Sequence, residues 1–360
     1  MVDAVSASLD SLRDALRAVE DPLNDGDIVS MDLIDDLRIE DGEAHVRMAL
    51  NTPFAPAEVT MGKQIREICR EVGYEPALRA HVGAEHGFDE EILPSVRNVI
   101  AVASGKGGVG KTTVAANLAA GLDDLGASVG VLDADVHGPN VPRVLGIADE
   151  EPGVEPTTDS LVPPDADGVK VMSMAYMVHD PDDPAIMRGP MVQKVMTHFL
   201  ENVTWDELDY LIVDLPPGTG DASLDLLQTL PVAGAIIVTT PQRLALDDAR
   251  KGLKLFEKHS TPIIGIVENM STFLCPSCGD EHAIYEGAGA AEICEDFEIP
   301  HLGAVPTHPD FGTESHDRAV VKNEESEVRP VMLDLVREAA DNLGALNRQR
   351  VAYPDAQPEL

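Results

Sequence analysis

Residues 105–112 read Gly-Lys-Gly-Gly-Val-Gly-Lys-Thr and satisfy G-x-x-x-x-G-K-[ST], the spacing that builds a cradle for nucleotide phosphates. Glycines reach backbone angles closed to other residues, so successive N–H groups can turn inward around an anion. A helix opening at the end of the loop adds the partial positive charge of its N-terminus. Lys111 is expected to reach the β- and γ-phosphates, and the Thr112 hydroxyl to hold Mg²⁺. Gly107, Gly108, Val109, Gly110 and Thr113 complete the expected nucleotide contacts. Two acidic stretches suit the same chemistry: Asp133 and Asp135 in VGVLDADVHG, and Asp214 in LIVDLPPGTGD. A carboxylate can anchor the water shell of Mg²⁺ while another orients an attacking water. Asp214 is assigned to the metal and Asp135 to the water. Asp133 serves either this chemistry or the capping of the next helix.

A second chemistry lies in ENMSTFLCPSCGDEH, where Cys275 and Cys278 form C-x-x-C. A redox dithiol normally sits beside a thioredoxin-like βαβ unit. A zinc knuckle within one subunit needs two more ligands, and His282 and Cys294 are the near candidates. Two copies of C-x-x-C around a two-fold axis would instead supply four thiolates to one centre. Four thiolates suit Zn²⁺ or a 4Fe–4S cluster equally.

These residues need strands behind them. VRNVIAVAS, SVGVLDAD, YLIVDLPP, AGAIIVTTP and PIIGIVENM are Val- and Ile-rich runs alternating with helical stretches such as TTVAANLAAGLDDLG. Strands apolar on both faces predict an α/β fold, a mainly parallel sheet covered by helices on both faces. In such sheets ligands bind beyond the carboxyl ends of the strands, and each polar motif directly follows a run. Ahead of this region, Val5, Leu9, Leu12, Leu16 and Val19 predict a helix stopped by Pro22. Strands around 28–39 and 44–50, a turn at Asp41–Gly42 and a helix from about Glu58 to Val72 make a small α+β N-terminal domain. The expected divisions are a module at 1–78, a linker at 79–96, the nucleotide domain at 97–345 and a tail at 346–360.

The chain has 360 residues and a net charge of -38, with 17 Arg against 9 Lys. Apolar periodicity persists along most of it, which argues against disorder and for a carboxylate-covered surface suited to a halophile's cytoplasm. Such a surface repels nucleic acid and anionic lipid, so neither is an expected partner. No apolar run is long enough to span a membrane, and the first residues lack a signal peptide's pattern, so a cytoplasmic location is expected.

KGGVGKT, with a lysine at its start, resembles the deviant Walker A motif of the MinD/ParA/nitrogenase-iron-protein class. In that class two subunits sandwich two nucleotides and the early lysine crosses to the partner's phosphates. The resemblance implies a homodimeric P-loop NTPase in which Lys106 acts in trans on charge developing at the transferred phosphoryl group. DADVHGPNVPRVLG, MRGPMVQKVMTHFLENVTWDELDYLIVDLPPGTGD, TTPQRLALDDARKGL and NMSTFLCPSCG together resemble the Mrp/ApbC family of iron–sulfur cluster carrier ATPases, over about residues 95–345. This implies ATP and Mg²⁺ as cofactors, and a labile cluster, 4Fe–4S, bridging two subunits on Cys275 and Cys278. It further implies apo iron–sulfur proteins as recipients, ATP hydrolysis gating the transfer, and Asn269 against the adenine. Cys294 lies outside the family's ligand pair and is expected as a buried thiol, with His282 on the surface. The segment AVEDPLNDGDIVSMDLI is similar to the small module fused to many Mrp proteins and found alone in iron–sulfur assembly factors. Where that module has a cysteine after its second strand, this chain has Ala55, and Cys69 reads as core. Two other readings of the ATPase remain: a partitioning type, which needs a basic surface or helix, and a zinc-stabilised regulatory type.

Overall fold

A computed structural model describes residues 2–50, 52–81, 92–136, 138–177, 189–218, 220–287, 289–312 and 318–352. The expected linker therefore lies partly, and residues 353–360 of the expected tail wholly, outside the described residues. The chain forms two compact units, one from its described residues up to 81 together with 340–352, the other from 92 to 339.

The first unit opens with α1 (Val2–Leu16), whose Leu12 and Leu16 are fully buried with Val19 beyond its end. Strands β1 (Ile34–Glu40) and β2 (Glu43–Ala49) pair antiparallel through Asp41 and Gly42, both at positive φ as a tight hairpin of this twist requires. The strand predicted from Ile28 begins only at Ile34. Asp27 Oδ1 accepts from the N–H groups of Val29 and Ser30, both at 2.9 Å, and this side-chain turn competes with extension. Helix α2 (Pro56–Glu71) starts on a proline, which has no N–H to leave unsatisfied. It leads to β3 (Glu75–His81), parallel to β2 at the sheet's edge. The α-β-β-α reading lacked this strand and placed its residues partly in a linker. Pro76 argues against a central strand, but an edge tolerates it.

The C-terminal tail expected from 346 is helical as far as Ala352, and its buried arginine belongs to this unit. Arg348 is 1 % exposed; its Nε and Nη2 donate to the two Asp21 carboxylate oxygens at 2.5 and 3.1 Å, and Nη1 to Glu58 Oε1 at 3.1 Å. Burial pushes the Glu58 carboxyl up to about 7, with Arg348 opposing the shift. Removing one partner of such a network leaves buried charge uncompensated, at about 3–5 kcal/mol. Arg348→Ala is therefore expected to destabilise this unit by that amount, read as faster hydrogen exchange of the α2 amides while amides of the second unit keep their protection.

The second unit begins with β4 (Val96–Ala103), α3 (Lys111–Asp124), β5 (Val129–Asp133) and the single-turn α4 (Val141–Val144). A short ribbon follows, β6 (Gly153–Val154) with β7 (Leu161–Val162), then β8 (Asp165–Ala166), β9 (Val169–Ser173) and α5 (Gly189–Glu201). Next come β10 (Leu208–Asp214), α6 (Asp221–Thr229), β11 (Val232–Thr239), α7 (Arg243–Lys258) and β12 (Ile263–Leu274). The rest is β13 (Glu281–Ala283), α8 (Ala290–Phe297), β14 (His301–Thr307) and α9 (Arg329–Ala352). One sheet runs β13-β12-β11-β4-β10-β5-β9-β8, with β14 also along β12. Among its pairings only those of β8 and β13 are antiparallel. The five predicted strands are β4, β5, β10, β11 and β12, buried on both faces over most of their length. Gly121 of α3 makes room for α9: a Cβ there would sit 2.6 Å from Val336 Cγ2. No helix among the described residues is long and apolar enough to cross a membrane.

Because β10 inserts between β4 and β5, Asp214 stands in register with Val102 on one side and Asp133 on the other. The carboxyl ends of the parallel strands thus bring three motifs far apart in sequence to one edge.

Candidate functional site: a phosphate loop tied to a two-cysteine hairpin

The loop between β4 and α3 is shaped by three constraints. Gly108 and Gly110 have φ of +79° and +82°, the left-handed region that disfavours a side chain. Gly110 is also crowded, since a Cβ there would meet Asn269 Nδ2 at 2.1 Å, while Nδ2 itself donates to Val109 O at 2.8 Å. Gly105 backs onto α7, where a Cβ would come within 2.4 Å of the Asp248 carbonyl carbon. Ser104 Oγ donates to Lys106 O at 3.0 Å, and the N–H of Gly218 donates to Ser104 O at 2.9 Å. Gly110 at the N-cap of α3 has no side chain to cap the helix, and a helix N-terminus of this kind suits an anion.

One carboxylate organises the charged groups. Asp214, fully buried, accepts from Lys111 Nζ at 2.5 Å on Oδ1 and from Thr112 Oγ1 at 2.7 Å on Oδ2. Burial raises its pKa, and the ammonium and hydroxyl oppose that shift. Asp135 is also buried, with Oδ1 accepting from Gly138 N–H at 3.2 Å, and its charge acts on Asp214. Asp133 makes bonds of the kind the capping alternative expects, and it also lies beside the Asp214 charge. Its Oδ2 accepts from Val141 N–H at the start of α4 at 3.1 Å and from Ser173 Oγ at 2.9 Å. Burial, with the Asp214 charge beside it, pushes its carboxyl up to about 7.

Lys106 points along the rim, its Nζ donating to Gln242 Oε1 at 3.3 Å. Gln242 Nε2 in turn donates to the Tyr285 hydroxyl at 2.7 Å. Sequence reasoning passed over Gln242 and Tyr285, although Gln242 follows β11 in the same strand-end position as the other polar motifs.

Cys275 and Cys278 lie on the turn joining β12 to β13, a hairpin whose arms pair Thr272 with Ala283 and Phe273 with His282. Cys275 N–H donates to Asp280 O at 3.0 Å, and Gly279, at φ +73°, donates to Cys275 O at 2.8 Å. The N–H groups of Ser277 and Cys278 address the Cys275 sulfur and lower its pKa. A thiolate held by backbone donors on an exposed turn is a ready ligand for a thiophilic metal. Cys294 is buried in the core, with burial pushing its thiol up to about 11. Cys69 and Ala55 are fully buried in the other unit. His282 is exposed, with a ring nitrogen within 4.8 Å of the Cys278 sulfur.

Comparison with known proteins fits this geometry. Residues 95–340 match the family described as NUBPL iron-transfer P-loop NTPase, and residues 9–74 match the iron–sulfur cluster assembly protein family. A relative from Synechocystis named "Iron-sulfur cluster carrier protein" is 40% identical over 305 residues, covering 82% of this chain and 86% of its own. A Deinococcus radiodurans protein of the same name is 42% identical over 300 residues, covering 82% and 84%. A solved nucleotide-binding protein from Archaeoglobus fulgidus, in complex with ADP and with cobalt found in it, is 34% identical. It covers 71% of this chain and 93% of that one, with a TM-score of 0.55. The chain belongs to the NUBPL iron-transfer P-loop NTPase family and is an ATP-hydrolysing member of the P-loop fold.

Proposed function

We propose that this chain is an ATP-dependent iron–sulfur cluster carrier of the cytoplasm, which holds its cargo between two subunits and hands it to apo-proteins under the control of ATP hydrolysis. One observation carries the reading: both arms of the cysteine hairpin are fastened to the phosphate loop. On the outgoing arm, Asn269 of β12 donates to Val109 O at 2.8 Å. On the return arm, Tyr285 connects through Gln242 to Lys106. A shift of the loop on binding or losing a γ-phosphate therefore pulls on the segment that presents the thiols, so each nucleotide state favours its own hairpin position.

Four thiolates from two hairpins suit a 4Fe–4S cargo, and a site shared between subunits couples its retention to how the dimer closes. The rim around Lys106 supports such a pairing. Leu244, 74 % exposed, Ile284 and Tyr285 form an apolar margin beside the Lys106–Gln242 contact. Lys106 would cross this margin to the partner's phosphates, Asp135 would orient the water, and Asn269 would meet the adenine. The adjacent Thr112 hydroxyl and Asp214 carboxylate are hard oxygen donors that fit Mg²⁺, which when bound offsets phosphate charge. The acidic surface suits a salt-rich cytoplasm.

The test is the transfer of a reconstituted cluster to an apo-ferredoxin, timed with ATP and with ADP bound. Different rates are expected; equal rates would remove gating from the account.

A further inference from the structure

The hairpin carries more donors than a two-cysteine site needs. The Cys278 sulfur, an Asp280 carboxylate oxygen and a His282 ring nitrogen all lie within 4.8 Å of one another, on exposed side chains. Tetrahedral bonds of about 2.0–2.3 Å place neighbouring ligand atoms about 3.3–3.8 Å apart. The remaining gap of about 1 Å is within reach of side-chain rotation at solvent-exposed positions. The backbone beneath is fixed: Asp280 O accepts from Cys275 N–H at 3.0 Å, and His282 is paired with Phe273 in the ladder. Asp280 and His282, two residues apart, project from one side of the strand end, and the turn at Gly279 brings Cys278 to the same side. Cys275 and Cys278 share a side-chain hydrogen bond, so a second sulfur stands next to the set.

We propose that each subunit by itself binds one divalent ion of the Zn²⁺, Fe²⁺ and Co²⁺ class through Cys278, Asp280 and His282, with Cys275 as the fourth donor. The mixture of sulfur, nitrogen and oxygen selects these borderline metals over Mg²⁺ and Ca²⁺, which take oxygen alone. Carboxylates are abundant on this surface, but the thiolate and imidazole separate this cluster from a patch that merely collects counter-ions. The proposal draws on the same two sulfurs as the shared cluster, so the two are alternative occupants of the turn; it differs in needing one chain and in using Asp280 and His282, which the shared centre leaves out.

The test is a Co²⁺ titration of the full, reduced, nucleotide-free chain without oxygen. One Co²⁺ per chain is expected, with the visible bands of tetrahedral cobalt and a sulfur-to-cobalt charge-transfer band. His282→Ala and Asp280→Asn are each expected to weaken binding at least ~10-fold. One Co²⁺ per two chains, with affinity unchanged in both variants, would overturn the proposal in favour of thiolates alone. Loading the wild-type chain with iron and sulfide is the separate readout for the carrier function. A chain that takes up Co²⁺ as described but assembles no cluster upholds this site while removing the carrier reading.

Discussion

Cys275→Ala and Cys278→Ala, loaded anaerobically with iron and sulfide, are each expected to stay colourless and hold no sulfide, whereas the parent chain takes up both. The expected loss is near complete because a centre shared between two such hairpins would have no spare sulfur. Cys294 and Cys69 are both buried, so neither thiol is presented to substitute. Cysteine binds iron as thiolate, and the backbone donors on Cys275 exist to favour that state. ATP hydrolysis should persist in both variants, since neither sulfur touches the phosphate loop. Absorbance of the thiolate-to-iron band, with iron and sulfide analysis per dimer, reads the result. A parent protein that stays colourless and takes up no sulfide after this loading, while keeping its zinc, would place this chain among zinc-stabilised regulatory ATPases.

Lys106→Ala is expected to lower ATP turnover by roughly 10³-fold or more, the range for a cation supplied across an interface to developing phosphoryl charge. Nucleotide affinity should change little. The Lys106 ammonium bonds the rim residue Gln242, while Lys111 and Thr112 sit on Asp214 beneath the loop. Lys111→Ala should lose binding and hydrolysis together, and that contrast separates a trans role from a general weakening of the loop. Mixing gives the decisive measurement. Lys106→Ala and Asp135→Asn chains are each expected to be inactive alone, but a mixed dimer would contain one site with an intact Asp135 that receives Lys106 from its neighbour. Partial recovery of turnover on mixing is expected. If mixing restores nothing, while each variant alone still forms dimers with ATP, Lys106 does not act across the interface.

Much of the fold is legible in residue types because a strand buried on both faces has little freedom of composition. VIAVA, VGVL, LIVD, GAIIVT and IIGIV could hardly be anything else, and the glycine-rich loop sits where the strand-end rule puts a ligand. What stayed hidden depends on neighbours that the sequence does not place together. Strand β3 is concealed by Pro76, tolerable at an edge where no other strand among the described residues pairs. Strand β14 carries Gly303 and Pro306 and becomes a strand by lying along the long β12. The partners of Asp133 could not be read from LDAD, because Ser173 and Val141 come from an adjoining strand and a later turn. At the site, the link from Lys106 through Gln242 to Tyr285 was invisible for the same reason: it closes between residues 106, 242 and 285. The nearness of His282 to Cys278 could be suspected from spacing, but the part of Asp280 needed the turn at Gly279.

The buried guanidinium of Arg348 has a consequence for how the polypeptide is made. Asp21 leaves the ribosome 327 residues, and Glu58 290 residues, before their counter-charge does. The small unit that holds them is thus begun before the second unit and cannot be finished until α9 has emerged. During translation it waits with two acids unmatched, and a fragment cut near residue 78 would keep that defect permanently.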